Sequence, residues 1–255
     1  MKEQEITSVN NELVKETVRL QIKKYRDDTK KFLLEGFKPV KEAFEDWIDI
    51  ETIFVLKEKA FKYDFCCRSK IILTTEEVLR KISTTDSAPE VVAVAKQKIF
   101  TLDDIKSAKK VVLLENIKDL GNLGTILRTA KAFSQDAIIL FGDTVDLYNP
   151  KCIRSAVGNL WKIPVVQIKD FETLQLQFEN FTRVATLPKA KDTINLKDFK
   201  AESPYLIMFG SEAEGLSQEL TDFSTQRVTI EMNNEVESLN LSVSVGIVLF
   251  KVNCE

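Results

Sequence analysis

Three polar stretches in the second half of the chain carry residue types suited to holding a ligand rather than filling a core. The first reads Glu115-Asn116-Ile117-Lys118-Asp119-Leu120-Gly121-Asn122-Leu123-Gly124, with Arg128 one turn into the helix expected next. The second is Gly210-Ser211-Glu212-Ala213-Glu214-Gly215-Leu216, and the third spans residues 236–251, VESLNLSVSVGIVLFK. The first two follow the apolar runs VVLL at 111–114 and YLIMF at 205–209. A glycine directly after a buried strand lets the backbone approach a ligand closely. In the third stretch Ser238 is expected to cap a buried helix, with Asn240 and Ser242 also in its first turn and a half. Buried polar side chains cost free energy unless paired, whereas the start of a helix gathers unpaired N–H groups and suits a polar ligand. An ordinary cap followed by small, close-packing residues explains the third stretch equally well in isolation. Gly121, Gly124 and Gly215 would each serve equally well in simple turns. Three polar clusters at three strand ends together favour a site.

The chemistry open to these residues is bounded by what the chain lacks. There is no histidine, so His-based triads and zinc catalysis are excluded as expectations. The four cysteines form no CxxC pair, and adjacent Cys66-Cys67 is poor metal-ligand spacing. Neither glycine loop is GxGxxG or a P-loop, which disfavours a dinucleotide or nucleoside triphosphate. An arginine among amides and hydroxyls suits clamping an anion or a developing negative charge.

These groups need elements to position them. From 108 to 255, strands are expected at 111–114, 137–140, 165–168, 183–186, 205–209 and 227–230. Helices are expected at 122–133, 151–158, 171–181, from Leu216, and through the last stretch. Near-continuous apolar strands alternating with helices predict a mostly parallel sheet covered on both faces, with ligands beyond the strands' carboxyl ends. Residues 1–100 read as a smaller α/β domain, with strands at 32–36, 52–56, 70–73 and 91–95 and helices at 41–47 and 75–81, the last capped by Thr74 or Thr75. The charged segment 96–110 is a plausible linker. Residues 10–31 are expected to form one helix in which Arg19, Lys23, Arg26 and Lys30 share a face, either solvated or in contact with phosphate.

At 255 residues the chain is long enough for a real core, and a net charge of −3 means that any nucleic-acid surface is local. The first residues lack the apolar core of a signal peptide, and no run approaches membrane-spanning length. A reducing cytoplasmic setting is expected, in which the sequons at Asn180 and Asn240 are chance matches.

The ordered segments Gly121-Asn122-Leu123-Gly124 with Arg128-Thr129-Ala130, then 210–216, then Glu237-Ser238-Leu239-Asn240-Leu241-Ser242-Val243, resemble the three motifs of the SpoU/TrmH family. These are S-adenosylmethionine-dependent RNA ribose 2′-O-methyltransferases of the SPOUT class. Asp146-Leu147-Tyr148-Asn149-Pro150-Lys151 with Arg154 and Gly158 matches the segment between the first two motifs. The Phe32-Leu33-Leu34-Glu35-Gly36 run, the basic first helix, Lys81-Ile82-Ser83 and 91–95 resemble that family's substrate-binding domain. The resemblance implies a C-terminal SPOUT α/β domain with a mostly parallel sheet and a deep trefoil knot, plus a small N-terminal α/β RNA-binding domain. It also implies a homodimer through the knotted domain, with no metal and no membrane. Arg128, Asn122, Glu212, Ser238 and Asn240 would be catalytic or order the substrate. The backbone around Leu187, Gly210, Ile230 and Leu239, with Met232 alongside, would hold S-adenosylmethionine. Arg154, Arg19, Lys23, Arg26 and Lys30 would meet RNA.

The implied substrate is ribosomal RNA of the 23S type. A transfer-RNA 2′-O-methyltransferase, or a non-catalytic RNA-binding or ribosome-assembly factor of the same fold, are the alternatives. Leu120, Ser134-Gln135, Glu231, Asn233-Asn234 and Gly36-Phe37-Lys38-Pro39 depart from the family pattern. Glu231 brings a carboxylate to the expected cofactor loop.

Overall fold

Apolar runs bounded by capping residues become the strands, and the chain sorts them into two sheets. The computed structural model describes residues 4–66, 68–233, 235–236 and 238–253; Cys67, Asn234 and Glu237, named above, and Cys254, the last of the four cysteines, lie outside the described residues. Contacts divide the chain into one unit of Met1–Lys98 with Asp146–Gly158 and another of Ile99–Val145 with Asn159–Glu255.

The first unit opens with β1 (Gln4–Ile6), α1 (Glu12–Arg19), α2 (Lys23–Thr29) and β2 (Lys31–Glu35). It continues with α3 (Phe37–Glu45), β3 (Ile50–Leu56), a 3-10 helix (Lys57–Tyr63), β4 (Lys70–Thr74), α4 (Glu76–Ile82) and β5 (Val91–Lys96). The sheet order is β1-β4-β3-β5-β2; β5 runs antiparallel to both neighbours, and the remaining pairs are parallel. One face packs Leu33, Phe54, Ile72, Val92 and Val94 against Val14, Val78, Leu79 and Ile82 from the helices. Thr75 caps α4 by accepting a hydrogen bond from the Val78 N–H.

The basic N-terminal segment departs from expectation. It is two helices, not one, because α1 stops at Leu20 and α2 starts only after Ile22. Arg19 therefore does not share a helical face with Lys23, Arg26 and Lys30. Lys30 itself ends α2 in the left-handed region at φ 54°.

The second unit begins before the expected boundary. Thr101 and Asp104 form a reciprocal capping box around a 3-10 turn at Leu102–Ile105, and Ile105 is buried in this unit's core. Residues 99–108 are thus structure rather than linker. Next come β6 (Lys110–Glu115), α5 (Leu120–Ala132) and β7 (Ala137–Phe141). The chain then contributes residues 146–158, with α6 (Pro150–Ala156), to the first unit. It resumes with β8 (Val165–Ile168), α7 (Phe171–Phe178), β9 (Thr182–Thr186), β10 (Ile194–Asn195), β11 (Tyr205–Phe209), α8 (Gln218–Phe223), β12 (Gln226–Thr229) and α9 (Leu241–Asn253).

Every strand pair in this sheet is parallel, in the order β10-β12-β9-β11-β6-β7-β8. The central strands β6, β7 and β11 are buried along nearly their whole length, which is why they read as unbroken apolar runs. Burial of each large apolar side chain of this kind contributes roughly 1.5–3 kcal/mol. Order along the sheet reverses at β6, which has β7 on one side and β11 on the other. The carboxyl ends of β6 and β11 are consequently the place for a ligand. Among the described residues no helix is long and apolar enough to cross a membrane.

Candidate active site

Two polar stretches leave the adjacent strands β6 and β11 side by side. Asp119 caps α5, its Oδ1 accepting from the Asn122 N–H at 2.7 Å. The helix starts at Leu120, two residues earlier than expected, so Asn122 sits in its first turn with 9% exposure. There the Asn122 Nδ2 donates to Glu212 Oε1 at 2.5 Å, and its Oδ1 accepts from Asn240 Nδ2 at 3.0 Å. Asn240 in turn caps α9, its Oδ1 accepting from the Ser242 N–H at 2.9 Å and the Ser242 hydroxyl at 2.6 Å. One chain thus joins all three motifs, the amides of Asn122 and Asn240 each using nitrogen as donor and oxygen as acceptor and the Glu212 carboxylate accepting at its end.

The cap of the last helix is accordingly Asn240, not Ser238. The helix begins at Leu241, so Ser238 lies outside its first turn and is exposed. Asn is at least as good a cap as Ser, and here its amide also reaches Asn122. Arg128 lies on the solvent side of α5, exposed, and makes no hydrogen bond or ion pair with the described residues. Neither Arg128 nor Ser238 is hydrogen-bonded to the Glu212–Asn122–Asn240 chain.

Leu187, Gly210 and Ile230 directly follow the neighbouring strands β9, β11 and β12, and all three are half-buried at the same sheet edge. Leu187 is held there by its N–H, which donates to the Val228 carbonyl at 2.9 Å. Met232 and Leu239 are half-buried as well. A Cβ on Gly210 would come within 1.9 Å of the Gly215 carbonyl carbon, so only glycine lets the 210–215 loop fold back on its own strand.

Residues of these stretches that were given no individual role hold this edge in place. Glu115 ends β6 at 4% exposure and accepts from the Ser217 N–H at 2.7 Å, tying the first loop to the second. A carboxylate closing an otherwise apolar strand was the legible signal. Asn116, at φ 50°, accepts from the Asp143 N–H at 2.8 Å and fixes the turn after β7. Glu231 faces away from any free role: it accepts from Asn195 Nδ2 at 2.7 Å, with Lys197 and Lys189 at 3.5 and 3.7 Å. The Asn195 bond and the two lysines hold its carboxyl below the usual range.

The five cations assigned to RNA separate into two groups. Arg26 is 1% exposed, and its guanidinium donates twice to Asp146 and once to the Leu20 carbonyl. It is a structural charge and unavailable to a phosphate, because moving it out would strand a buried carboxylate. Arg154 donates to the buried Glu35 at 2.7 Å and to Thr84 at 2.9 Å, which leaves its guanidinium about one-third exposed (36%). Arg19, Lys23 and Lys30 are exposed. Among the described residues Lys23 pairs only with Asp27, one turn away.

Comparison with known proteins agrees with the order of these loops. The SpoU rRNA Methylase family profile matches residues 109–250, and the MRM3-like substrate binding domain profile matches residues 11–93. The chain belongs to the SpoU rRNA methylase family. As a member it is an RNA methyltransferase. It is 32% identical to an uncharacterized tRNA/rRNA methyltransferase of Synechocystis, over 96% of this chain and 92% of that relative. It is 27% identical to the 23S rRNA (guanosine(2553)-2′-O)-methyltransferase RlmP of Bacillus subtilis, over 96% and 98%. The crystal structure of an AdoMet-bound rRNA methyltransferase from Sinorhizobium meliloti superposes with a TM-score of 0.89 at 28% identity, covering 98% and 97% of the two chains.

Proposed function

We propose that this protein transfers a methyl group from S-adenosylmethionine to a ribose 2′-hydroxyl of 23S-type ribosomal RNA, working as a homodimer through a knotted catalytic domain. The observation that carries the reading is the hydrogen-bonded chain Glu212–Asn122–Asn240, which gathers three distant motifs at one place. The donor set fits the cofactor. Half-buried apolar Leu187, Ile230 and Met232 beside strand-end backbone suit a flat base, and Glu212 offers charge to a sulfonium or ammonium. When bound, the cofactor supplies an electrophilic methyl carbon with a good leaving group. The chain must then align the 2′-oxygen and offset its developing negative charge.

Arg128 suits that second task. An arginine stays protonated, so it acts as a clamp on a phosphate and on the nascent alkoxide rather than as a base, and the proton leaves to water or a neighbour. Asn122 and Asn240 immobilise each other, so the first turn of α5 and the start of α9 keep one geometry. The homodimer is supported by α9, where Val243, Ile247 and Phe250, at helical spacing of four and three, are 48%, 38% and 59% exposed. An apolar stripe of this kind on a helix is suited to a second copy.

Incubation with tritiated S-adenosylmethionine and either ribosomal or transfer RNA, followed by mapping of the labelled nucleotide, tests the reading. Label on a ribose of 23S-type RNA is expected; label on a base, or on transfer RNA alone, overturns it. Arg128→Ala should abolish transfer while calorimetric binding of S-adenosylmethionine is retained. Loss of cofactor binding in that variant would reject the clamp.

A further inference from the structure

We propose that the ridge Lys57–Tyr63 in the first unit takes unpaired bases of the RNA substrate, with Phe61 as the stacking platform. This rests on the RNA-methyltransferase reading and adds where the substrate is gripped. The segment is a 3-10 helix of seven residues, longer than the three or four usual for this helix type. Its inner side is pinned. Tyr63 is fully buried, its ring edge-on to Phe37 at 5.6 Å, and Phe65 packs on Phe44 at 5.0 Å. The Tyr63 hydroxyl donates to Glu90 at 3.1 Å, and Lys62 binds the same carboxylate at 3.0 Å.

Two residues before the buried Tyr63, Phe61 is 69% exposed, a costly position for a phenyl ring. Lys57 and Lys59 stand before it with no salt bridge to the described residues, beside Glu58, and Lys59 adds to the cations, chiefly Lys62, that hold the Glu90 carboxyl below its usual range. Bases stack on aromatic rings whatever their sequence, while nearby lysines follow the backbone.

A competing platform is Trp47, which is 80% exposed. Arg68 already covers it, with its guanidinium 5.4 Å from the ring centre, and Glu45, Asp46 and Asp49 flank it in the chain. The Arg68 guanidinium thus already takes the ring face that a base would need. Phe61, beside Lys57 and Lys59 and with no cation over its ring among the described residues, is the better match for RNA.

The test uses the full-length protein and a fluorescein-labelled single-stranded oligouridine of about 12 nucleotides, within the range of sites that track one strand. Phe61→Ala is expected to weaken binding about tenfold, and Phe61→Tyr to preserve it. Replacing Lys57 and Lys59 together by Ser should flatten the salt dependence by about one to two units of slope. Trp47→Ala should leave affinity unchanged, and S-adenosylmethionine binding by calorimetry should not move in any variant. Unchanged oligouridine affinity in Phe61→Ala overturns the ridge, as does an equal loss for an RNA duplex, or a loss that appears in Trp47→Ala instead. A chain that methylates nothing yet shows the Phe61 dependence would retire the activity and keep the ridge.

Discussion

At the scale of single residues the site depends on which atoms of Asn122 donate and which accept. Its nitrogen faces a carboxylate and its oxygen faces an amide N–H, so no other residue of that size fits both neighbours. Asn122→Asp keeps the acceptor for Asn240 but sets a second negative charge against Glu212. Two such charges about 4 Å apart repel by about 1 kcal/mol in water and about 4 kcal/mol near a protein surface. Methyl transfer by Asn122→Asp should therefore fall by more than about tenfold at pH 8. It should recover in part near pH 5.5, because the shared site raises one carboxyl's pKa and lets the pair hold a proton. Combining it with Glu212→Gln restores a donor–acceptor pair and should return activity at pH 8. Kinetics of the double variant that stay as poor as those of Asn122→Asp would mean that the Glu212 charge itself is needed. The resemblance of the ordered motifs made Asn122, Glu212 and Asn240 legible as candidates. Their mutual bonds were not legible, because 118 positions separate Asn122 from Asn240 and only the sheet order brings them together.

At the scale of elements, the central strands were legible because burial on both faces makes them continuous apolar runs, whereas the short, mostly exposed edge strands β1 and β10 left no such run and were missed. Helix limits were harder to read. A Lys- and Arg-rich stretch looks equally helical whether it is one helix or two, and the break at 20–22 leaves no Gly or Pro as a signal. Similarly, two cap-forming residues two positions apart, Ser238 and Asn240, cannot be ranked without knowing which one has a partner. Loop 210–215 illustrates how an element can be fixed by the absence of an atom. Gly210→Ala drives a methyl into the backbone of Gly215 and Leu216, so the loop must shift rather than a side chain rotate. Because Glu212 lies on that loop, the expected result is a strong rise in the dissociation constant for S-adenosylmethionine with only a modest loss of overall stability. Gly215→Ala meets nothing within 4 Å but carries a φ of 69°, and so should cost mainly backbone strain. Calorimetry on both variants, beside thermal melts, separates a displaced loop from an unfolded one. Equal cofactor affinity in Gly210→Ala and the parent would refute this account.

At the scale of the whole molecule, chain order and unit membership part company at residues 146–158. The sequence places this segment between two strands of the parallel sheet, yet it packs with the first unit, where α6 lies against β2. The Tyr148 ring packs on Phe32 at 4.8 Å, tilted by 48°, and its hydroxyl donates to the Lys98 carbonyl at 2.6 Å. Burial pushes the Cys152 thiol up to about 12, so it stays a neutral packing group. The anchor is Arg26 with Asp146, whose side chains are 1% and 11% exposed. A buried pair of this kind contributes little in itself, but removal of one partner strands the other charge at a cost of about 3–5 kcal/mol. Arg26→Met alone should accordingly lower the urea midpoint sharply, as should Asp146→Leu alone. The double variant replaces both charges by apolar groups of similar bulk and should recover most of the loss. A double-mutant cycle on the midpoints measures the coupling directly. Single variants as stable as the parent would show that the pair is solvated in solution, which would return Arg26 to the cations available for RNA. The expected coupling fixes it instead as the bolt that fastens 146–158 to the first unit.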